Sequence, residues 1–360
     1  MTTAPAATTA LAWEPRIEGV AAEWDELADL VQAGPFQRPG WFQAWLRAFG
    51  GAARLHVLTA RRDGRLVGVL PVLKRRRSAV SPTNWHTPSY DAVALDEDAA
   101  RQLAHEVVAS AASKLDLAFL DLARPFPAAC VAAAEDAGRR VIRRPSLRSP
   151  YLELEGDFEA YESGLGTKFR RELTRRRRRL EEQGALEVQF TDGRDELDAQ
   201  LDEGFAIEGS GWKVERGTAI ASQAETEALY RDVARWAAGR GWLQLGYLRL
   251  DARALAFAYL IVTSGVMHVV KVGFDPEYRR FAPGSLLTRE AIKRAFEQGL
   301  SRYDFLGGED RYKLDWTNEV RERTRLQAFG STPAGIGGYA AWRFGRPAAK
   351  RALALVRRSG

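Results

Sequence analysis

Residues 243–316, LQLGYLRLDARALAFAYLIVTSGVMHVVKVGFDPEYRRFAPGSLLTREAIKRAFEQGLSRYDFLGGEDRYKLDW, contain the signals that decide the fold. They predict strands, then a Pro-Gly turn that opens a helix, then a further strand that ends in an aromatic and acidic cluster. The helix begins at Gly284-Ser285, directly after a strand and beside Arg279 and Arg280. Exposed backbone N–H groups and the positive end of the helix dipole favour a pyrophosphate at such a position.

The chain of 360 residues is long enough for two domains of ordinary size, each with its own core. Its 46% hydrophobic and 28% charged content is typical of globular proteins rather than of disordered chains. No run of about 18 apolar residues occurs, and the first residues, MTTAPAATTA, lack the features of a signal peptide. We therefore expect a cytoplasmic protein, with a position at the inner face of the membrane as an alternative.

The charge pattern favours an anionic ligand and argues against a metal. The net charge is +6, and only eight of the 53 basic residues are lysines, so guanidinium groups suited to phosphate or carboxylate predominate. The four histidines, at positions 56, 86, 105 and 268, are far apart, and none has zinc-ligand spacing with another histidine or with the single cysteine. No metal site is expected.

The two halves of the sequence repeat one α/β plan. A hairpin turn at Asp63 precedes a buried strand near Leu117, and a turn at Asp251 precedes a strand near Tyr303, at intervals of 54 and 52 residues. The first copy has acids where the second has arginines, and it lacks a glycine at the helix start. The second copy alone would attract a phosphate.

Three segments carry a resemblance to a known family: GFDPEYRRFAPGSLL, YDFLGGEDRYKLDW and EGSGWKVERGTAI. The chain resembles the GNAT acyltransferase superfamily, in a two-domain branch similar to FemAB-type aminoacyl transferases and to the CelD-like proteins associated with polysaccharide biosynthesis. The resemblance covers roughly residues 155 to 330. It implies tandem GNAT-like units with mixed central sheets flanked by helices. The expected domains are a disordered tail at 1–12, a degenerate unit at 13–154, an acyltransferase unit at 155–332 and a basic tail at 333–360.

The resemblance also implies a donor site. In GNAT proteins the strand before the helix splays from its neighbour and exposes backbone to the pantetheine arm, so Val272, Gly273 and Phe274 would lie at that arm. The pyrophosphate would contact Arg279, Arg280, Gly284 and Ser285. Pro283 occupies the place of the first glycine of the usual loop and has no N–H to donate. The donor is therefore acetyl-CoA or another acyl-CoA, with aminoacyl-tRNA as the alternative.

The cluster after the last strand carries the candidate chemistry. Acyl transfer to an amine needs a base for the amine proton and a proton donor for the leaving group. Asp304 or Glu309 is the candidate base, and Tyr312 or Lys313 is the candidate acid or oxyanion stabiliser. Alternatively these residues bind or position, because many GNAT enzymes work mainly by positioning.

Candidate acceptor contacts lie at Glu208, Trp212 and Lys213, where glycines interrupt a helical pattern. The acceptor would be a small molecule or a glycan, and a monomer is acceptable because both copies lie in one chain. A basic helix is predicted at about 157–183, with seven arginines and one lysine in residues 168–179. It is either a solvated helix or a surface for an anionic membrane, glycan or, less expectedly, tRNA. The basic C-terminal segment is likewise either exposed to solvent or bound to an anionic membrane surface.

Three functions remain open at this point. The leading hypothesis is transfer of an acyl group from acyl-CoA to an amine or hydroxyl, in polysaccharide or cell-envelope biosynthesis. The second is a FemAB-like transferase that uses aminoacyl-tRNA. The third is an inactive GNAT-fold protein that binds anionic lipid or glycan.

Overall fold

The computed structural model describes residues 9–51, 54–210 and 220–345. The strands are β1 Thr9–Glu14, β2 Leu55–Arg62, β3 Arg65–Arg75, β4 Ser78–Val80, β5 Val93–Ala94, β6 Lys114–Leu120, β7 Arg140–Glu153, β8 Leu186–Thr191, β9 Leu243–Leu250, β10 Arg253–Thr263, β11 Val266–Phe274, β12 Arg302–Asp304 and β13 Val320–Phe329. The α-helices are α1 Ala21–Leu30, α2 Pro39–Phe49, α3 Glu97–Ser110, α4 Pro125–Asp136, α5 Phe158–Gly164, α6 Thr167–Glu181, α7 Leu197–Gly209, α8 Ala224–Gly239, α9 Pro283–Glu297, α10 Arg311–Leu314 and α11 Pro333–Ala340. Among these described helices, none is both long and apolar enough to cross a membrane.

The chain forms two compact units, and neither is one continuous segment. The first unit takes its described residues from Met1–Val31, Ala52–Ser146 and Glu322–Gly360, and the second takes Gln32–Gly51 and Leu147–Arg321. This division differs from the contiguous domains 13–154 and 155–332 that the sequence suggested. Local pattern can predict an element but not the distant strand with which it pairs.

The second unit contains a six-stranded sheet in the order β8-β9-β10-β11-β12-β7. Its strands pair antiparallel except for β11 and β12, which run parallel with α9 as their connection. Helix α9 buries Leu287, Ala291 and Ala295 in the core of this unit. The mixed α/β architecture predicted from the sequence is confirmed.

The first unit has a sheet of the same plan, in the order β1-β2-β3-β4-β6-β13, with β5 paired to β3. Here β4 and β6 are the parallel pair. The predicted hairpin between β2 and β3 turns at Asp63 and Gly64, whose φ angles are 51° and 77°. Asp-Gly suits two successive positive φ angles, so the hairpin follows from its local sequence.

Two local expectations need correction. Residues 9–12, assigned to a disordered tail, belong to β1, which pairs with β2 over its whole length. The basic helix expected at 157–183 is two helices, α5 and α6, because the chain is extended at Leu165 and Gly166 between them. Of the basic tail expected at 333–360, the structure describes α11 and a following π-helical turn, Ala341–Gly345.

Candidate active site

The parallel strands β11 and β12 part soon after they meet. They pair only at Val266–Arg302, Met267–Tyr303 and His268–Asp304, and β11 then continues to Phe274. A bulge on β11 accompanies this change: Lys271 lies opposite Tyr259 and Val269 lies opposite Leu260, which leaves Val270 as the extra residue. A bulge increases the local twist and bends its strand. Strand β11 therefore continues, with a bend, beyond the short stretch that pairs with β12.

The segment after β11 leads directly into helix α9. Residues Pro276–Phe281 form a 3-10 turn, and Ala282 follows with φ 48° and ψ 53°. This left-handed conformation is uncommon for alanine and costs on the order of 1 kcal/mol. Such strain is typical of functional loops whose shape the surrounding structure dictates.

The start of α9 offers one unused backbone donor in the part of the chain that is described. Pro283 has no N–H, and the N–H groups of Ser285 and Leu286 donate to Ala282 O at 3.0 and 3.1 Å. Gly284 N–H has no such bond among the described contacts. Because the Ser285 N–H is already used, the predicted contact between Ser285 and a pyrophosphate would be made by the Ser285 side chain. Gly284 would contact the pyrophosphate through its backbone N–H.

Two cations lie beside this helix start. Arg279 and Arg280 are exposed, and within the described ranges neither guanidinium forms an ion pair. Arg280 lies 4.7 Å from the centre of the Phe281 ring. The carboxylate of neighbouring Asp275 already has partners, because it accepts a hydrogen bond from Glu277 N and forms an ion pair with Arg253 at 2.6 Å. The positive charge at the start of α9 is thus left for a ligand.

The three residues expected along the pantetheine arm do not share one face of β11. Val272 and Phe274 pack partly buried against the core cluster that contains α9. Gly273 points to the opposite face, where a Cβ atom would lie 2.9 Å from Glu208 Cβ and 3.0 Å from Glu208 N. The glycine at 273 is therefore required for close packing of α7 on β11.

Asp304 ends β12 in a buried position. Its Oδ1 accepts a hydrogen bond from Leu306 N at 2.9 Å, and its Oδ2 lies 3.6 Å from Arg321 Nη1. Leu306 and Gly307 both have positive φ, at 50° and 56°. The carboxylate thus stabilises the sharp turn that follows β12.

Lys313 is also committed to this turn. Its side chain is buried, and Nζ donates to Leu306 O at 2.9 Å and to Gly308 O at 2.8 Å, with Asp310 Oδ2 at 3.1 Å. We interpret Lys313 as the residue that holds the loop between β12 and α10.

Glu309 and Tyr312 are the more accessible members of the predicted catalytic set. Glu309 Oε2 lies 2.8 Å from Arg148 Nε, in a pair that is partly exposed. Tyr312 exposes 40% of its surface. Desolvation, with a smaller contribution from Asp310, raises the pKa of the Tyr312 phenol. The phenol is therefore protonated at neutral pH and is a weaker acid than a free tyrosine side chain.

The predicted acceptor residues are only partly described. Glu208 lies in the last turn of α7, is 2% exposed, and accepts a hydrogen bond from Ile220 N at 2.8 Å. Trp212 and Lys213 lie outside the described residues.

Helices α5, α6 and α9 line a cavity of about 610 Å³. Its charged groups are largely paired: Arg289 with Glu162, and Arg177 with Glu290 at 2.9 Å. On the exposed side of α6, Lys168, Arg171 and Arg179 have no carboxylate partner among the described residues. Within the described ranges, no cluster of side chains could hold a metal ion.

No sequence pattern indicated a role for Ser149 and Arg148 on β7. Ser149 Oγ donates to Gly307 O at 2.8 Å, and Arg148 pairs with Glu309. Both residues reach the candidate site only because β7 pairs with β12, about 150 residues away in sequence.

Comparisons with known proteins agree on the fold. Residues 167–314 match the family model described as an acetyltransferase (GNAT) domain. The crystal structure of FemX superposes with a TM-score of 0.58 at 13% identity, covering 84% of this chain and 95% of FemX. L-PGS from Bacillus licheniformis superposes with a TM-score of 0.52 at 12% identity, covering 89% and 93% of the two chains. A sequence search of curated proteins gives no match. At these identities the structural similarity establishes the fold alone.

Proposed function

We propose that this chain, whose residues 167–314 match the family model of a GNAT acetyltransferase domain, transfers an acyl group from acyl-CoA to an amine or hydroxyl acceptor. The observation that carries the proposal is the short parallel pair β11 and β12, beyond which β11 runs on alone of the two into the strained, cationic start of α9. A parted parallel pair leaves room for an extended arm, and a helix start with free positive charge suits the pyrophosphate at the end of that arm.

The chemistry needs no covalent enzyme intermediate. The acceptor nitrogen or oxygen attacks the thioester carbonyl, the new C–N or C–O bond forms, and the C–S bond breaks. The acceptor loses a proton, and the leaving thiolate gains one. In this proposal Tyr312, whose side chain is 40% exposed, donates the proton that the thiolate gains.

We place the acceptor among amino sugars, polysaccharide precursors and amino-acid derivatives, with a role in polysaccharide or cell-envelope biosynthesis. The support is the resemblance to CelD-like and FemAB-like proteins together with a buried carboxylate, Glu208, that suits an ammonium group. Attachment at an anionic membrane surface through the basic C-terminal segment belongs to the same proposal.

Calorimetry with acetyl-CoA tests the donor. The wild-type protein should bind saturably, and the double variant Arg279→Ala/Arg280→Ala should bind about 10-fold or more weakly, because each charge-assisted contact contributes about 1 kcal/mol or more. Arg75→Ala/Arg77→Ala removes two exposed charges from the turn between β3 and β4 and serves as the matched control. Absence of binding to the folded wild-type protein would overturn the acyl-CoA proposal.

A donor carried on RNA is the second candidate, favoured by Lys168, Arg171 and Arg179 on the exposed side of α6. RNA binding should weaken steeply with salt, with log K falling by roughly 0.7 to 0.9 per neutralised phosphate for each decade of salt. Replacing the three residues by glutamine should reduce that slope, while acetyl-CoA binding stays unchanged. RNA binding with no binding of acetyl-CoA would favour this candidate over the first.

A further inference from the structure

One end of the sheet in the first unit joins an exposed basic turn to helix α11. Both elements meet at Ser113, directly before β6. Ser113 N donates to Arg77 O at 2.7 Å, in the turn between β3 and β4, and Ser113 O accepts from Gly330 N at 3.0 Å. Ser113 Oγ also lies 3.1 Å from Oγ1 of Thr332, the residue that caps α11. The backbone before β6 therefore holds the turn and the helix side by side.

Two glycines hold the start of α11 close to this backbone. A Cβ atom on Gly330 would collide with Ala112 O, and a Cβ atom on Gly335, in the first turn of α11, would lie 2.8 Å from Ser113 O. Such short contacts leave no room for a side chain at either position. The helix is thus fixed against the sheet of the first unit.

The start of β7 adds two arginines at the same end of the first unit. Arg139 Nη1 donates to Ala111 O at 2.6 Å, next to the segment that contacts α11. The guanidinium of Arg140 lies 5.5 Å from the centre of the Tyr339 ring on α11, within reach of a cation–π contact. Arg140 is exposed, so its charge stands beside the helix and is accessible from solvent.

Five exposed arginines of this region have no carboxylate partner in the described part of the chain. Arg75, Arg76 and Arg77 lie at the turn between β3 and β4, Arg140 opens β7, and Arg343 lies in the π-helical turn after α11. We call these five residues the basic face. Like charges repel one another, so an uncompensated cluster of cations favours an anionic surface as its partner.

The carboxylates near the basic face do not neutralise it. Asp116 is engaged by Arg325 at 2.6 Å, and Glu135 lies 3.6 Å from Arg143. Asp136, at the end of α4, is exposed and forms no ion pair with any described residue. Five uncompensated cations against one carboxylate leave this surface positive.

Apolar side chains are exposed beside these cations. Ile336 on α11 is 46% exposed, and Phe344, next to Arg343, is 69% exposed. The sequence that follows at 346–360, RPAAKRALALVRRSG, has five further cations and no carboxylate. Apolar groups flanked by cations suit an anionic membrane, which offers hydrocarbon to the first and phosphates to the second. A nucleic acid would neutralise the arginines but would offer no hydrocarbon to Ile336.

We propose that the basic face, together with Ile336 and Phe344, docks the first unit on an anionic bilayer. The inference rests on the membrane attachment in the proposed function, and it extends that attachment from the C-terminal segment to a folded surface. The two apolar side chains enter the boundary between the headgroups and the acyl chains. The arginines of the basic face lie among the lipid phosphates.

Flotation of the full-length protein with vesicles tests the proposal. Vesicles of phosphatidylcholine alone are compared with vesicles that also contain phosphatidylglycerol. We expect binding to the anionic vesicles only, and we expect this binding to weaken as the salt concentration rises.

Two double variants separate the charges from the apolar groups. Arg75→Gln/Arg77→Gln should bind the anionic vesicles about 10-fold or more weakly and with a smaller salt dependence, because two cations leave the lipid phosphates. Ile336→Asn/Phe344→Asn should also bind about 10-fold or more weakly, because two apolar side chains no longer enter the bilayer. It should keep the salt dependence of the wild-type protein. Thermal unfolding shows whether each variant is folded.

The first unit offers a matched control for each variant. Arg65→Gln/Arg101→Gln removes two exposed cations, and Arg65 lies at the opposite end of β3 from Arg75. Leu30→Asn removes an apolar side chain that is 73% exposed on α1. Both controls should bind anionic vesicles as the wild-type protein does.

Three results would overturn the inference. The first is a folded wild-type protein with no preference for phosphatidylglycerol. The second is wild-type affinity in either double variant of the docking surface, which would leave attachment to residues 346–360 alone. The third is binding of RNA through the basic face with no binding of vesicles. Calorimetry with acetyl-CoA is carried out without vesicles, so failure of docking and failure of the proposed acyl transfer are observed separately.

Discussion

Lys313 Nζ lies 2.8 Å from Gly308 O, so a buried ammonium closes the loop that follows β12. The same nitrogen also donates to Leu306 O. Replacing Lys313 by methionine would leave two carbonyl oxygens without this donor, at a cost of about 1 to 3 kcal/mol for each buried group. We expect a loss of several kcal/mol in the free energy of unfolding and faster amide exchange in residues 306–310.

Lys293→Met is the control for this prediction. Lys293 lies 3.7 Å from Glu297 in a pair that is largely exposed, so its loss should change stability by less than about 0.5 kcal/mol. Equal stability of the two variants would contradict the structural role of Lys313.

A methyl group at position 273 should be poorly tolerated. Gly273→Ala places a Cβ atom against the backbone of Glu208, and backbone cannot move as easily as a flexible side chain. Overpacking of this kind costs about 1 to 3 kcal/mol. Gly239→Ala is the matched control, because nothing lies within 4 Å of a Cβ atom there and alanine favours a helix. Urea denaturation measures both, and a neutral Gly273→Ala would refute the packing argument.

Tyr312→Phe should lower kcat about 10²-fold while leaving acetyl-CoA affinity unchanged, if the phenol protonates the leaving thiolate. Its raised pKa keeps the proton on the oxygen, so this effect should be constant from pH 6 to 8. Tyr339→Phe on α11 is a control for loss of one phenol oxygen. A Tyr312→Phe variant with full turnover would remove Tyr312 from the mechanism.

The pH dependence of stability should include a contribution from Asp91 in the first unit. Burial raises the pKa of Asp91 from 3.8 to about 6, and this outweighs the opposing effect of Arg124, 3.1 Å away. Between pH 4 and 6 the unfolded chain loses this proton before the folded one does. The contribution of Asp91 to the free energy of unfolding is therefore greatest below pH 4, and it is lost as the pH rises through 6.

Asp91→Asn removes this titration. The stability of the wild-type protein relative to the variant should fall by on the order of 2 to 3 kcal/mol between pH 4 and pH 7, at 1.36 kcal/mol for each unit of pKa shift. Urea denaturation of both proteins across this range measures the difference. A difference that grew with pH would contradict the sign of the shift.

Local sequence predicted the elements that depend on local signals. The Asp63-Gly64 hairpin and the helix start after Pro283 both follow from residues adjacent in the chain. The pairing partner of β7 could not be predicted, since its contacts with β12 are distant in sequence.

The site was predicted as a region, and the structure redefines single residues within it. Gly273 was expected to expose backbone to a ligand, and the structure adds a packing role, because Glu208 leaves no space for a Cβ atom there. Lys313 was expected to act on the substrate, and its ammonium group binds carbonyl oxygens. Helix packing and burial decide both roles, and neither has a signature in a single sequence.

The discontinuity of the two units has a consequence for how this protein can be divided. A fragment cut at 155–332 lacks β7 and leaves β12 with an open hydrogen-bonding edge, while its own β13 is separated from its partner β6. A fragment that ends at 154 lacks β13 in the same way. Neither fragment therefore keeps its sheet intact. A gene rearrangement that separates the two fragments must supply each of them with a strand that replaces the one it has lost.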